Sequence, residues 1–211
     1  MLNNFQKILI LAPHTDDGEF GCGASINKWA SEGKEVYYAT FSACKQSVLP
    51  QYPEDILITE VKEATATLGI KPENLILFDY EVRTFNYHRQ AILDDLIKLR
   101  EKINPDLVLM PSKNDIHQDH KTIYDEGLRA FKFKSILCYE MPWNNLNFNT
   151  ACFSILEKKH VNKKLEALRK YLSQSHRPYS DEEFINGLAR SRGVQINNEY
   201  AEVFEIVRWL I

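Results

Sequence analysis

No stretch of this 211-residue sequence stays apolar for the length that crosses a bilayer, so a helical membrane span is not expected. The opening Met1-Leu2-Asn3-Asn4-Phe5-Gln6-Lys7 lacks a basic segment followed by a long apolar one and a small-residue cleavage site. A secretory leader is therefore not expected either. An excess of one charge is also missing. The 26 Lys and Arg against 29 Asp and Glu leave a formal net charge of -3, which makes no electrostatic case for nucleic acid or an anionic membrane. Cysteine is sparse and scattered: Cys22, Cys44, Cys138 and Cys152 form no C-x-x-C pair. That points away from a disulfide frame or a zinc knuckle and towards reduced, core-filling thiols in a cytoplasmic protein.

What is present is ordinary for a globular chain, with 44% hydrophobic and 26% charged residues. The length fits one domain spanning residues 1–211, with no repeat, low-complexity tract or linker to divide it. A β/α core is expected over about 7–140, and further helices and a strand over about 150–211. Residues 8–12 (ILILA) are a continuous apolar run, the pattern of a strand buried on both faces. Helical periodicity runs from about 25 to 31 and stops at Gly33, and residues 36–41 read as a second strand. Helices are expected over 54–68, ended by Gly69, over 89–103, ended by Asn104-Pro105, and over 121–131. Strands are expected at 75–78, 107–110 and 135–139. This alternation argues for a mostly parallel sheet with helices on both faces. In the last third, 141–145 reads as a loop, 152–156 as a strand, 158–173 as a charged amphipathic helix, 181–189 as a helix and 200–211 as a strand.

Two polar clusters each follow a predicted parallel strand. One is Pro13-His14-Thr15-Asp16-Asp17-Gly18-Glu19, after ILILA; the other is His117-Gln118-Asp119-His120, after LVLM. Open α/β sheets bind ligands outside the carboxyl ends of their strands, where both clusters fall. A catalytic zinc takes three nitrogen or oxygen ligands and keeps a position for water, whose pKa it lowers to roughly 7. A His and a carboxylate from one loop with a His from the other supply such a set. Two adjacent Asp residues let one bind metal while the other takes a proton from water, and His117 can stabilise an oxyanion or protonate a leaving amine. The plainer alternative makes Asp16 or Asp17 a helix cap and the histidines ordinary loop residues, which leaves the second Asp and His14 unexplained.

The Pro-His-x-Asp-Asp motif with the later His-x-Asp-His resembles the LmbE/PIG-L family of zinc-dependent N-deacetylases. The likeness runs over about residues 8–131, with an echo in Tyr200-Ala201-Glu202-x-Phe204. It implies a Rossmann-like three-layer α/β/α fold and a small-molecule partner, an N-acetyl sugar or sugar conjugate. It also implies Zn2+ on His14, Asp17 and His120, Asp16 as general base, His117 as oxyanion or acid residue, and Asp119 as the group that orients a histidine. The donor set also suits another divalent ion such as iron or cobalt. Relatives of this kind often assemble, so a homo-oligomer is compatible. Pro13 and Thr15 depart from the family pattern without touching the donors. Where many members carry an Arg three residues before a Glu, this chain has Leu57 before Glu60. Arg190 and Arg192 are the candidate substitutes, able to grip a phosphate or carboxylate, with a solvated surface as the equally simple reading.

Three rivals are weaker. The other polysaccharide deacetylase type wants an aromatic before Asp-Asp-Gly and histidines four apart, whereas His117 and His120 are three apart. A nucleotide-binding module finds only Gly21-Cys22-Gly23, with Ile26 where the third glycine belongs. A phosphoesterase of the His/Asp type usually needs ligands for a second metal.

Overall fold

The run Lys7–His14 forms β1, and its period of two explains the layers. Ile8, Ile10 and Ala12 point into one core, and Leu9 and Leu11 into another on the opposite face. Both faces of this strand are apolar because both are covered by helices. The computed structural model describes residues 5–210. Residues 1–4, part of the opening read for a leader, and Ile211, the last residue of the final predicted strand, lie outside it.

The elements follow as α1 (Asp17–Ser31), β2 (Glu35–Ser42), α2 (Ile56–Leu68), β3 (Leu75–Leu77), α3 (Arg89–Ile103) and β4 (Leu107–Pro111). After these come α4 (Gln118–Ala130), β5 (Ser135–Tyr139), β6 (Cys152–Leu156), α5 (Lys158–Leu168), α6 (Glu182–Val194) and β7 (Tyr200–Arg208). They build one seven-stranded sheet of order β3-β2-β1-β4-β5-β7-β6. The first five strands are parallel, and β7 and β6 add antiparallel pairs at one edge. Helices α1, α2, α5 and α6 contribute to the core on one face, α3 and α4 to that on the other. This is the three-layer α/β/α fold. The chain leaves β1 towards β2 and β3, then returns to build β4 and β5 on the other side of β1. The crevice above β1 and β4 is thus the topological switch point of the sheet.

Helix α1 starts eight residues before the periodicity suggested, because Gly18, Gly21 and Gly23 dilute the apolar pattern of its first turns. These glycines allow close packing: a Cβ on Gly21 would enter the Tyr139 ring, and one on Gly23 would crowd the Lys164 side chain. The Gly21-Cys22-Gly23 segment lies inside a helix, not in the tight turn that a dinucleotide fingerprint requires. At Cys22 the helix leaves helical geometry (φ -151°, ψ 23°). Two ions from the last third repair the break. Lys164 Nζ donates to the Phe20 carbonyl at 2.6 Å, and Glu202 accepts from the Ala24 and Ser25 amides at 3.1 and 2.7 Å. The two ions also pair with each other at 2.8 Å, both buried. Glu202 belongs to the Tyr-Ala-Glu-x-Phe echo, and this is the contact its carboxylate makes.

Elsewhere the bounds shift modestly. Helix α5 ends at Leu168 rather than 173, and a separate short turn covers Leu172–Gln174. Helix α4 begins at Gln118, because His117 occupies the capping position and its ring accepts from the Asp119 amide. Helix α6 extends beyond residue 189 to Val194. Among the described residues no helix is long and apolar enough to cross a membrane.

Candidate metal centre and active-site cleft

His14 is the last residue of β1, Asp16 and Asp17 stand at the start of α1, and His120 lies in the first turn of α4. The fold brings these strand ends together over the switch point. His14 Nδ1 and His120 Nε2 each lie 3.2 Å from Asp17 Oδ2 and 3.3 Å from one another. Ligand atoms on a tetrahedral zinc with bonds of about 2.0–2.1 Å are separated by roughly 3.3 Å. The three atoms therefore already form one face of such a tetrahedron.

The remaining ring nitrogens are held from behind. Asp119 Oδ2 lies 3.0 Å from His14 Nε2, and Asp115 Oδ2 lies 2.7 Å from His120 Nδ1. Carboxylates in these positions fix the tautomer, leaving a lone pair on the inward nitrogen of each ring. Asp119 is fixed in turn by the Arg83 amide at 2.6 Å and the Phe85 amide at 3.4 Å. Burial alone would lower the affinity of His14 and His120 for protons. Asp17, with Asp119 beside His14 and Asp115 beside His120, raises both, His120 to about 10. Burial would likewise push Asp17 up, but His120 and His14 hold it well below the usual carboxylate range. The cluster is short of positive charge at its centre, a need that a divalent cation meets as well as protons do.

His117 sits close, and nitrogen atoms of His14, His117 and His120 all fall within 4.8 Å of one another. Its chemistry differs from that of the other two. The Asp119 amide donates to His117 Nδ1 at 3.2 Å, so the neutral ring carries its proton on Nε2 and offers a donor rather than a lone pair. Burial and the two neighbouring histidines pull its pKa down to about 4, keeping it neutral near pH 7. On donor chemistry, Asp17 fits the third metal position better than His117 does.

Asp16 takes the capping position of α1 but makes no side-chain capping bond. Burial and the adjacent Asp17 raise it to about 6. The helix-cap alternative thus accounts for neither Asp: Asp16 does not cap, and Asp17 accepts from the His14 amide at 2.8 Å while facing two imidazoles.

These residues line an open cleft of about 430 Å³, within the range that small-molecule sites take. Its far wall comes largely from segments without helical or strand periodicity. Trp143 and Tyr179 stack with centroids 4.2 Å apart and planes within 7°, and Phe20 meets both edge-on. Leu57, Arg83 and Arg177 also line it. Glu60, one turn along α2 from Leu57, is buried and accepts from the Ser173 amide and hydroxyl at 2.9 and 2.6 Å, anchoring the segment that carries Arg177.

Arg190 and Arg192 do not line this cleft. Arg192 is consumed by a bidentate pair with the buried carboxylate of Glu140. Arg190 donates to the Glu199 carbonyl at 2.9 Å and lies over the Tyr200 ring. Sequence reasoning missed Asp115, Arg83, Arg177, Trp143 and Tyr179. Asp115 had a signal, being an acid five residues before His120, between β4 and α4. The others reach the cleft only through tertiary packing.

Known proteins resemble this chain in both sequence and fold. The family described as GlcNAc-PI de-N-acetylase, PIG-L, matches residues 9–131, which hold every residue of the histidine–aspartate cluster. A relative named "uncharacterized deacetylase YaiS", from Escherichia coli K12, is 26% identical over 178 residues, covering 81% of this chain and 93% of its own. Among solved structures, an N,N'-diacetylchitobiose deacetylase from Pyrococcus horikoshii superposes with a TM-score of 0.80 at 22% identity, covering 97% of this chain and 84% of that one. A 4-carboxy-2-hydroxymuconate hydratase, GalB, from Pseudomonas putida KT2440 also scores 0.80, at 18% identity and 98% coverage of both chains. The same fold thus serves more than one reaction, and shape alone does not select one. The family match, spanning more than half of the chain, establishes that this protein is a member of the PIG-L family.

Proposed function

We propose that the protein is a metal-dependent N-deacetylase, hydrolysing the acetamide of an N-acetylated sugar or a related small metabolite. The observation that carries this reading is the triangle of His14 Nδ1, Asp17 Oδ2 and His120 Nε2, with edges of 3.2, 3.2 and 3.3 Å, beside an Asp16 carboxylate that does not cap its helix. Family membership and the deacetylase name of the E. coli relative support it.

In this reading His14, Asp17 and His120 would hold a divalent ion, with zinc as the ion that the family resemblance implies. A divalent cation there supplies Lewis acidity, making hydroxide available near neutral pH and polarising the amide carbonyl. Asp16 accepts a proton from the attacking water and stays clear of coordination. With no capping bond to its helix, its carboxylate is free to take that proton. His117 Nε2–H donates to the amide oxygen as negative charge builds there. Asp119 and Asp115 hold the two ligating rings in register. The proton on Asp16 is then available to the departing amine, and acetate and the free amine leave the cleft.

Acetate release from N-acetylglucosamine by zinc-loaded protein tests this reading. The Asp16→Asn variant should keep its metal while turnover drops about 10²–10⁴-fold, the usual worth of a positioned base. Undiminished turnover in that variant removes Asp16 from the role.

A further inference from the structure

We infer that the cleft contains an anion subsite, built from Arg83 and Arg177, for a phosphate or carboxylate group on the substrate. The word substrate rests on the deacetylase reading; the anion subsite itself does not.

Of the seven arginines elsewhere, five form ion pairs, and Arg190 and Arg208, which form none among the described residues, lie outside the cleft. Arg89 and Arg129 pair with Glu126, Arg100 with Glu101, Arg169 with Glu182 and Arg192 with Glu140. The two in the cleft are different. Arg83 Nη2 donates to the Ser47 hydroxyl at 2.8 Å, and Arg177 Nε donates to the Gln174 side-chain oxygen at 3.3 Å. Both acceptors are neutral, and neither arginine is among the ion pairs of the described residues. A guanidinium has five donors in a planar fork suited to phosphate and carboxylate oxygens, and each of these has most of its fork unused.

Both side chains are also carried on fixed backbone. Arg83 sits at φ 70°, a left-handed conformation that a residue of its size rarely adopts. Its amide is held there by the 2.6 Å bond to Asp119, the carboxylate behind His14. Strain of this kind persists where surrounding structure over-determines it, and it gathers at ligand sites. Arg177 is half-buried, and its segment is tied down at both ends. Ser173 is bonded to buried Glu60, and the Ser180 hydroxyl donates to the Arg177 carbonyl at 2.6 Å. Of the two acids that line the cleft, Asp17 is occupied by the histidines and the His14 amide, and Asp16 feels the Arg177 charge without forming an ion pair with it among the described residues. A substrate with its amide at the histidine–aspartate cluster and an anionic substituent elsewhere in the same cleft would meet the unused donors.

Calorimetric titration of zinc-loaded protein with three product-like amines tests this: glucosamine, glucosamine 6-phosphate and the carboxylate-bearing muramic acid. We expect at least one anionic amine to bind about tenfold or more tightly than glucosamine, as charge-assisted bonds to arginine do. The preference should vanish in the Arg83→Gln/Arg177→Gln double variant while its zinc content is unchanged. Preference for the phosphate or for the carboxylate supports the subsite and says which anion it takes. Equal binding of all three overturns it, as does a preference that survives in the double variant, which would place the anion on the metal. Acetate release from N-acetylglucosamine is scored separately. Release without anion preference leaves the deacetylase reading standing alone. Arginine-dependent preference with no release from neutral or anionic acetamides leaves only the subsite.

Discussion

Asp16 and Asp17 are neighbours in sequence with opposite electrostatic fates. Both are pushed up by burial, but Asp17 faces two imidazoles and ends far below the usual range, whereas Asp16 stands at about 6. In the proposed mechanism, that divergence separates the residue assigned as ligand from the one assigned as base. The motif makes the pair legible, yet its division of labour depends on which carboxylate points at His120, and only the fold supplies that. Asp115 carries the same lesson. It orients His120 at 2.7 Å although it lies outside the His-x-Asp-His motif. Its conversion to Asn should weaken zinc affinity about 10–100-fold, measured by competition with a chelating dye. Unchanged affinity would reduce Asp115 to a loop residue.

Glu19 gives a pH prediction at the same scale. Burial lifts its carboxyl from 4.5 to about 8, against the hydroxyls of Tyr38 and Tyr171 that donate to it. A folded-state pKa above the unfolded one means that folding favours the protonated form. Its contribution to stability is complete below about pH 4.5 and is lost as the pH rises through about 8. The Tm of wild type minus that of Glu19→Gln should therefore fall between pH 5 and about pH 9. A difference that stays constant across that range would contradict the assignment.

Among the elements, α1 is where local pattern and final structure diverge most. Its glycines hide the first turns from periodicity, and its break at Cys22 is repaired by ions more than 140 residues away in sequence. The parallel strands were legible because burial on both faces leaves an uninterrupted apolar run, as in ILILA. The stops at Gly69 and Asn104 were legible because both take the left-handed conformation that ends a helix. No local rule exposes the Lys164–Glu202 pair. Lys164→Met would leave the Glu202 carboxylate buried without its partner, and such losses cost about 3–5 kcal/mol. Urea unfolding measures it. A change below about 1 kcal/mol, the scale of an exposed ion pair, would show that the pair does not secure the kink.

At the scale of the whole molecule, the alternating order of strands and helices already placed both motifs at the carboxyl ends of a parallel sheet. The strand order then sets β1 beside β4, so His14 and His120 meet at the switch point. The cleft wall was not legible. Trp143, Tyr179 and Arg177 come from segments without periodicity, brought over the site by contacts such as Ser173 on Glu60. Arg190 and Arg192 looked equally available in the sequence because nothing local announces that Glu140 and the Glu199 carbonyl engage them. Charge type was readable there; charge partner was not.

The central claim, that His14, Asp17 and His120 hold one divalent ion, is tested most directly by elemental analysis of the purified protein after zinc reconstitution and removal of free metal. We expect about one ion per chain in wild type and loss of that ion in the His14→Ala/Asp17→Ala variant, with the variant's fold checked by circular dichroism. A folded wild type that takes up no metal, or a folded variant that keeps a full complement, would contradict it.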